Sequence, residues 1–262
     1  MKREMSVAGS FYPNDAGAIE QYFEHFTKLY NENFQLPHIK AKAVIVPHAG
    51  YIYSGFTADV AYRILQQNDI EDIVIIGPSH RVAFYGASIC DFDSYNTPFG
   101  EIKASKKLFT ELLEKFSFNC MLDAHHEHST EVQFPFIKYY LPNVTITEIV
   151  YSETNPQSIS EIIDFLLTRE KTAIIISTDL SHFYQKDMAN QLDYICIDAI
   201  KKLDLKEIHQ GCEACGITGV EAMMLSAKKN NMHVKILDYR TSADASGDTD
   251  RVVGYLSSCF YN

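Results

Sequence analysis

The chain has 262 residues, 46% of them hydrophobic and 22% charged, a balance that fits a globular protein and excludes a disordered tail or a fibre. Its net charge of −11 argues against nucleic acid or an anionic membrane surface as partner. No apolar run approaches the length of a transmembrane helix. The opening MKREMSVAGSFYP also lacks the apolar stretch of a signal peptide, so a cytoplasmic location is expected.

At about 150 residues per domain the length allows one large domain or two small ones. No repeat, low-complexity segment or linker-like cluster divides the chain, so a single domain over 1–262 is expected. The first helix is marked by Asp15 as cap and by Ile19, Tyr22, Phe23, Phe26, Leu29 and Tyr30 at helical spacing. A β-like run, KAVIVP (42–47), follows, then a helix over about 57–67 and a second run, DIVIIGP (72–78). Two more runs are VTITEIV (144–150) and TAIIIS (172–177), and the last two are VKILDY (234–239) and RVVGYLSS (251–258). Helical patterns lie between them at 105–116, 130–141, 156–168, 184–202 and 217–230, with Pro156 suited to a first helical position. Strands and helices in alternation, with near-continuous apolar strands, predict an α/β fold. The expected form is one three-layer α/β/α domain with a mostly parallel central sheet. In such sheets the site forms at the carboxyl edge of the strands.

The residues that follow each run are polar and specific. After KAVIV comes Pro47-His48-Ala49-Gly50-Tyr51, and after DIVII comes Gly77-Pro78-Ser79-His80. AIII is followed by Ser177-Thr178-Asp179-Leu180-Ser181-His182, and VKILDY by a segment containing Asp244 and Asp248. Histidines and carboxylates gathered at one sheet edge have the composition of a divalent metal site. A further cluster, His125-His126-Glu127-His128-Ser129-Thr130-Glu131, opens a helix. It reads either as an ordinary helix start or as a source of His128 or Glu131 for the same cleft.

The six cysteines are sparse and, in a cytoplasmic protein, expected to be reduced. Cys212-Glu213-Ala214-Cys215 has redox spacing but neither a second pair nor a thioredoxin-like context, so no chemistry is assigned to it. There is no Walker motif, no G-x-G-x-x-G and no G-x-S-x-G, which leaves nucleotide binding and an α/β-hydrolase nucleophile without support.

Seven motifs in order carry a resemblance. V-A-G-S-F-Y-P (7–13), P-H-A-G-Y-I-Y-S-G (47–55), G-P-S-H (77–80), T-P-F-G (97–100), E-H-S-T-E-V-Q-F-P-F (127–136), S-T-D-L-S-H (177–182) and S-G-D-x-x-x-V-V-G-Y (246–255) together resemble the Memo family (mediator of cell motility), in the form called AmmeMemoRadiSam system protein B. That family is similar in fold to class III extradiol ring-cleavage dioxygenases. The resemblance implies a non-haem metal, Fe(II) first with copper or zinc as alternatives, held by His48 and His80. It implies His182 as an acid/base with Asp179 beside it; His128, from the cluster that opens the helix, stands with them as a further catalytic candidate on the reading of the residues alone. The family's metal-site cysteine is expected in the segment T-S-A-D-A-S-G-D, which has none, so Asp244 becomes the expected third ligand. The implied function is a metal-dependent oxidoreductase acting on a small chelating or phenolic molecule. Two other readings stand beside it: a non-catalytic metal- or ligand-binding protein acting through a protein partner, and metal-dependent hydrolysis with Asp179 or His182 as base.

Overall fold

The computed structural model describes residues 1–262. In chain order the elements are β1 (Lys2–Arg3), α1 (Ala16–Asn33), β2 (Ala41–Val46), α2 (Tyr51–Leu65), β3 (Asp72–Pro78), β4 (Ala87–Ser88), β5 (Ser94–Thr97), β6 (Gly100–Lys103), α3 (Lys106–Lys115), α4 (His128–Glu131), α5 (Gln133–Tyr140), β7 (Thr145–Tyr151), α6 (Pro156–Leu167), β8 (Thr172–Ser177), β9 (His182–Tyr184), α7 (Lys186–Lys202), α8 (Ile217–Lys229), β10 (His233–Thr241), α9 (Ala243–Ser246) and β11 (Val252–Tyr261). Local chemistry sets several of these ends. The Asp15 carboxylate accepts the Ala18 N–H at 2.8 Å and starts α1. Asn155 does the same for α6, with Pro156 at the position where a missing N–H costs nothing.

The main sheet runs β10-β11-β2-β8-β3-β7-β4, with β9 paired to β11. Its centre, β2, β8, β3 and β7, is parallel, as the apolar runs predict. The flanks are not: β10, β11 and β4 are antiparallel to their neighbours. The sheet is therefore mixed, which corrects the expectation of a mostly parallel one. The connection from Thr241 to Val252 holds only the single turn of α9, so the chain doubles back rather than crossing over. A small second sheet, β1-β5-β6, stands beside β7, joined to it by the Ser105 N–H bond to the Ile146 carbonyl.

Both faces of the sheet are covered. Along β2, Val44 and Val46 pack into one core with residues of α1, α2 and α5. Ala43 and Ile45 point the other way, into a core with residues of α3, α6, α7 and α8. That is the period-2 alternation of a strand buried on both sides.

The cysteines correct a second expectation. Cys90 is bonded to Cys120 and Cys196 to Cys212, leaving Cys215 and Cys259 as thiols. No helix is long and apolar enough to cross a membrane.

Candidate metal centre

Strand order places the site. With β8 between β2 and β3, the segments that leave their carboxyl ends lie side by side: His48 after β2, Asp179 after β8 and His80 after β3. The fourth contributor, α4, sits directly on the end of β3. A Cβ at Gly77 would stand 2.8 Å from the Ser129 Oγ and 2.9 Å from the Thr130 methyl, so only glycine lets α4 come this close. The Ser129 hydroxyl then donates to the Pro78 carbonyl at 2.7 Å.

His48, His80 and His128 converge: one ring nitrogen from each lies within 4.8 Å of the others. The ring centroids are 5.2 Å apart for His48 and His80, 5.3 Å for His48 and His128, and 4.5 Å for His80 and His128. His48 is buried, while His80 and His128 keep some contact with solvent.

Hydrogen bonding says which nitrogens face inward. The Ser177 hydroxyl donates to the Ser129 carbonyl, so toward His48 Nδ1, 2.9 Å away, it can only accept. The Gln133 side-chain N–H donates to the same hydroxyl at 3.0 Å, and Tyr62 donates to the Gln133 Oε1 at 2.7 Å. His48 therefore carries its proton on Nδ1 and leaves its Nε2 lone pair as an acceptor. Burial, and then the neighbouring His80 and His128 rings, pushes the His48 pKa well below the ordinary histidine value. His80 and His128 both turn Nδ1 to the buried Glu127 Oε1, at 3.1 and 2.7 Å. Burial alone would raise the Glu127 pKa. The hydrogen bonds from His128 and His80 outweigh it and hold the group ionised far below the usual carboxylate range. An ionised carboxylate accepts only, so both rings donate from Nδ1 and leave Nε2 without a protein partner.

Two more groups stand beside His48. Asp179 accepts the His48 backbone N–H through Oδ1 at 2.7 Å, and its Oδ2 lies 4.0 Å from His48 Nε2. Burial raises the Asp179 pKa, against the His48 N–H bond and the nearby His182 ring. The Cys215 Sγ lies 3.3 Å from His48 Nε2 and accepts the Asp179 N–H at 3.3 Å. Burial, and then the Asp179 charge, pushes the Cys215 thiol up to about 12, so it donates S–H toward the His48 lone pair. Gly216 allows this approach, since a Cβ there would stand 2.9 Å from the Ser177 carbonyl.

His48 and His80 thus meet, and His128 joins them in the place foreseen for Asp244. Asp244 itself is turned elsewhere: its carboxylate accepts the Thr241 N–H at 2.7 Å and lies 3.6 Å from the Lys186 ammonium. That corrects its expected convergence with the histidines. His182 pairs with Val253 on β11, close enough for its charge to act on His48 and Asp179 but outside the three-histidine group. Cys215, set aside in the sequence, is the cysteine of the site. Its pairing spacing is a coincidence, because Cys212 is bonded to Cys196.

A family model described as Memo-like protein matches residues 3–259. The chain belongs to the Memo family. A MEMO1 family protein of Thermoplasma volcanium is 32% identical and covers 98% of this chain and 97% of its own length. Another, from Metallosphaera sedula, is 33% identical with 99% of each covered, and one from Aquifex aeolicus is 32% identical with 98% of each covered. This Memo protein therefore aligns with its relatives from end to end.

Proposed function

We propose that His48, His80 and His128 hold a divalent transition metal, Fe(II) first with copper or zinc as alternatives, in a metal-dependent oxidoreductase acting on a small phenolic or similarly chelating molecule. The observation that carries this is that one ring nitrogen from each of the three histidines lies within 4.8 Å of the others while each Nδ1 faces another protein group. The donors fit: neutral imidazoles suit iron, copper and zinc alike, and the Cys215 sulfur adds a soft donor beside them. When bound, such a metal supplies Lewis acidity and redox chemistry to a chelating substrate. The protein's own groups do the rest. His182 takes the substrate hydroxyl proton and returns it, and Asp179 orients and charges the neighbourhood of His182 and His48. A hollow of about 450 Å³ lined by Phe11, Tyr22, Tyr51 and Tyr53 offers an aromatic surface, and Phe11 also packs against His128 with ring centroids 4.7 Å apart. A single domain over 1–262 and a cytoplasmic location complete the proposal.

One observation favours a second reading. The group has three imidazoles and no carboxylate, the donor set of hydrolytic and hydrating zinc sites rather than of the two-histidine, one-carboxylate iron oxygenases. In that case Asp179 or His182 serves as base toward water. Anaerobic purification followed by elemental analysis, then oxygen uptake with a catechol panel, separates the two. Iron with uptake supports the oxidoreductase, zinc without uptake supports hydrolysis, and absence of any stoichiometric metal overturns both. His182→Ala is expected to keep its metal and lose about 10²–10⁴-fold in turnover.

A further inference from the structure

We propose that Glu127 is the positioning residue of the histidine cluster, one carboxylate that sets the ring orientation and tautomer of two of its three members at once. The proposal rests on the reading of the cluster as a metal site. It starts from a count of hydrogen bonds. Glu127 Oε1 accepts from His80 Nδ1 at 3.1 Å and from the Ser129 N–H at 3.2 Å, and lies in ion-pair contact with His128 Nδ1 at 2.7 Å. Its Oε2 accepts from the His80 backbone N–H at 2.7 Å. Three hydrogen bonds and one ion-pair contact thus converge on the carboxylate, and an ionised acid, which only accepts, serves all of them. Glu127 is 1% exposed and meets no arginine or lysine, so its charge is answered by these donors alone.

Two consequences follow for the cluster. The loop after β3 and the start of α4 are tied to the same two oxygens, which fixes His80 and His128 relative to each other before any ligand arrives. Both rings must also present Nε2, because Nδ1 is occupied. His48 is set independently, through Ser177 and Gln133. Carboxylate–histidine pairs of this kind raise ligand basicity and typically contribute 10–100-fold to metal affinity. Here one carboxylate serves two ligands, so its loss removes both contributions together.

The test compares the wild type with Glu127→Gln. A glutamine oxygen can accept, but its amide would face the His80 backbone N–H, donor against donor. Nitrogen-15 NMR of the imidazoles in metal-free protein reads the tautomers directly, and calorimetric titration with Zn(II) reads the affinity. The wild type is expected to show His48, His80 and His128 all protonated on Nδ1. In Glu127→Gln, His80 and His128 should shift toward Nε2–H or a mixture while His48 stays as it was, and Zn(II) affinity should fall by at least 10–100-fold. Ser177→Ala should give the mirror image, with only His48 changed. The proposal is overturned if Glu127→Gln keeps both rings in the Nδ1–H form with unchanged Zn(II) affinity. It is equally overturned if all three rings change together, which would mean a general loss of structure, or if either ring of the wild type is an Nε2–H tautomer. The last reading needs no variant. A wild type with the expected tautomers that binds no Zn(II) would defeat the metal reading and leave the positioning role standing.

Discussion

His125 and His128 are three residues apart, and each turns Nδ1 to a buried glutamate, yet they do different work. His125 is wholly buried, donates to Glu148 at 2.7 Å and meets the Ser88 hydroxyl through Nε2 at 2.9 Å. Both nitrogens are spent. Glu148 is further fixed by the Thr130 hydroxyl at 2.5 Å, with the Arg3 guanidinium 3.9 Å away. Burial would raise its pKa, but the His125 partner prevails and lowers it. His128 brings Nδ1 within 2.7 Å of Glu127, and its other nitrogen has no hydrogen-bond partner in a ring that lies beside His48 and His80. A carboxylate partner alone therefore does not separate a structural histidine from a candidate ligand; the atom its neighbours leave free does.

The comparison can be broken from either side. The largest effect is expected on stability: His125→Ala should cost about 3–5 kcal/mol, because it leaves Glu148 buried without its partner. Urea unfolding measures this, and a loss below about 1 kcal/mol would mean that His125 is no structural residue. His128→Ala should cost less than His125→Ala, because Glu127 keeps the His80 ring and two backbone N–H donors, while lowering metal affinity more than about 100-fold. His48→Ala and His80→Ala extend the test: each should strip most bound metal and still melt cooperatively. Unchanged metal in both would place the ligands elsewhere.

A third buried acid sharpens the contrast by lacking a close cation. Asp59 has only the Tyr140 hydroxyl on one oxygen and Arg63 4.0 Å from the other, and burial pushes its pKa up to about 7. A carboxyl with a raised folded-state pKa stabilises below its unfolded value, near 4, and that contribution is lost as pH rises through about 7. Thermal melts should therefore show the wild type losing about 1–3 kcal/mol from pH 4 to pH 8 relative to Asp59→Asn. Parallel pH profiles would refute it. The smallest effect belongs to Asp244, whose carboxylate holds Thr241 and faces Lys186 at the surface. Asp244→Asn should leave metal content unchanged, and a loss of metal would restore it as a ligand.

Much of this was legible in the residues. β3 and β8 occupy the spans their β-branched runs predict, and α1 begins at its predicted cap, because burial on both faces and a side-chain acceptor are local signals. The direction of β10 and β11 was missed although the brevity of the link between them is visible in the sequence. The short strands β4, β5 and β6 carry no apolar run and depend on distant partners. At the site, His48 and His80 follow from their place after strands. His128 does not, because nothing in its neighbourhood says which way α4 faces; the close packing at Gly77 decides that. The same holds for Cys215, which reaches His48 only through the turn at Gly216, and for the disulfides, whose pairing cannot be deduced from spacing.

The order of strands has a consequence in time. β8 lies between β2 and β3, so the two strands that carry His48 and His80 never touch and are brought into line only by a strand ending at Ser177. A chain growing from its amino end has made all three histidines by His128, yet holds no sheet to align them until β8 threads between. The centre is thus a late product of synthesis and folding. On the proposed metal reading, an ion arriving early would meet loose imidazoles rather than a formed site.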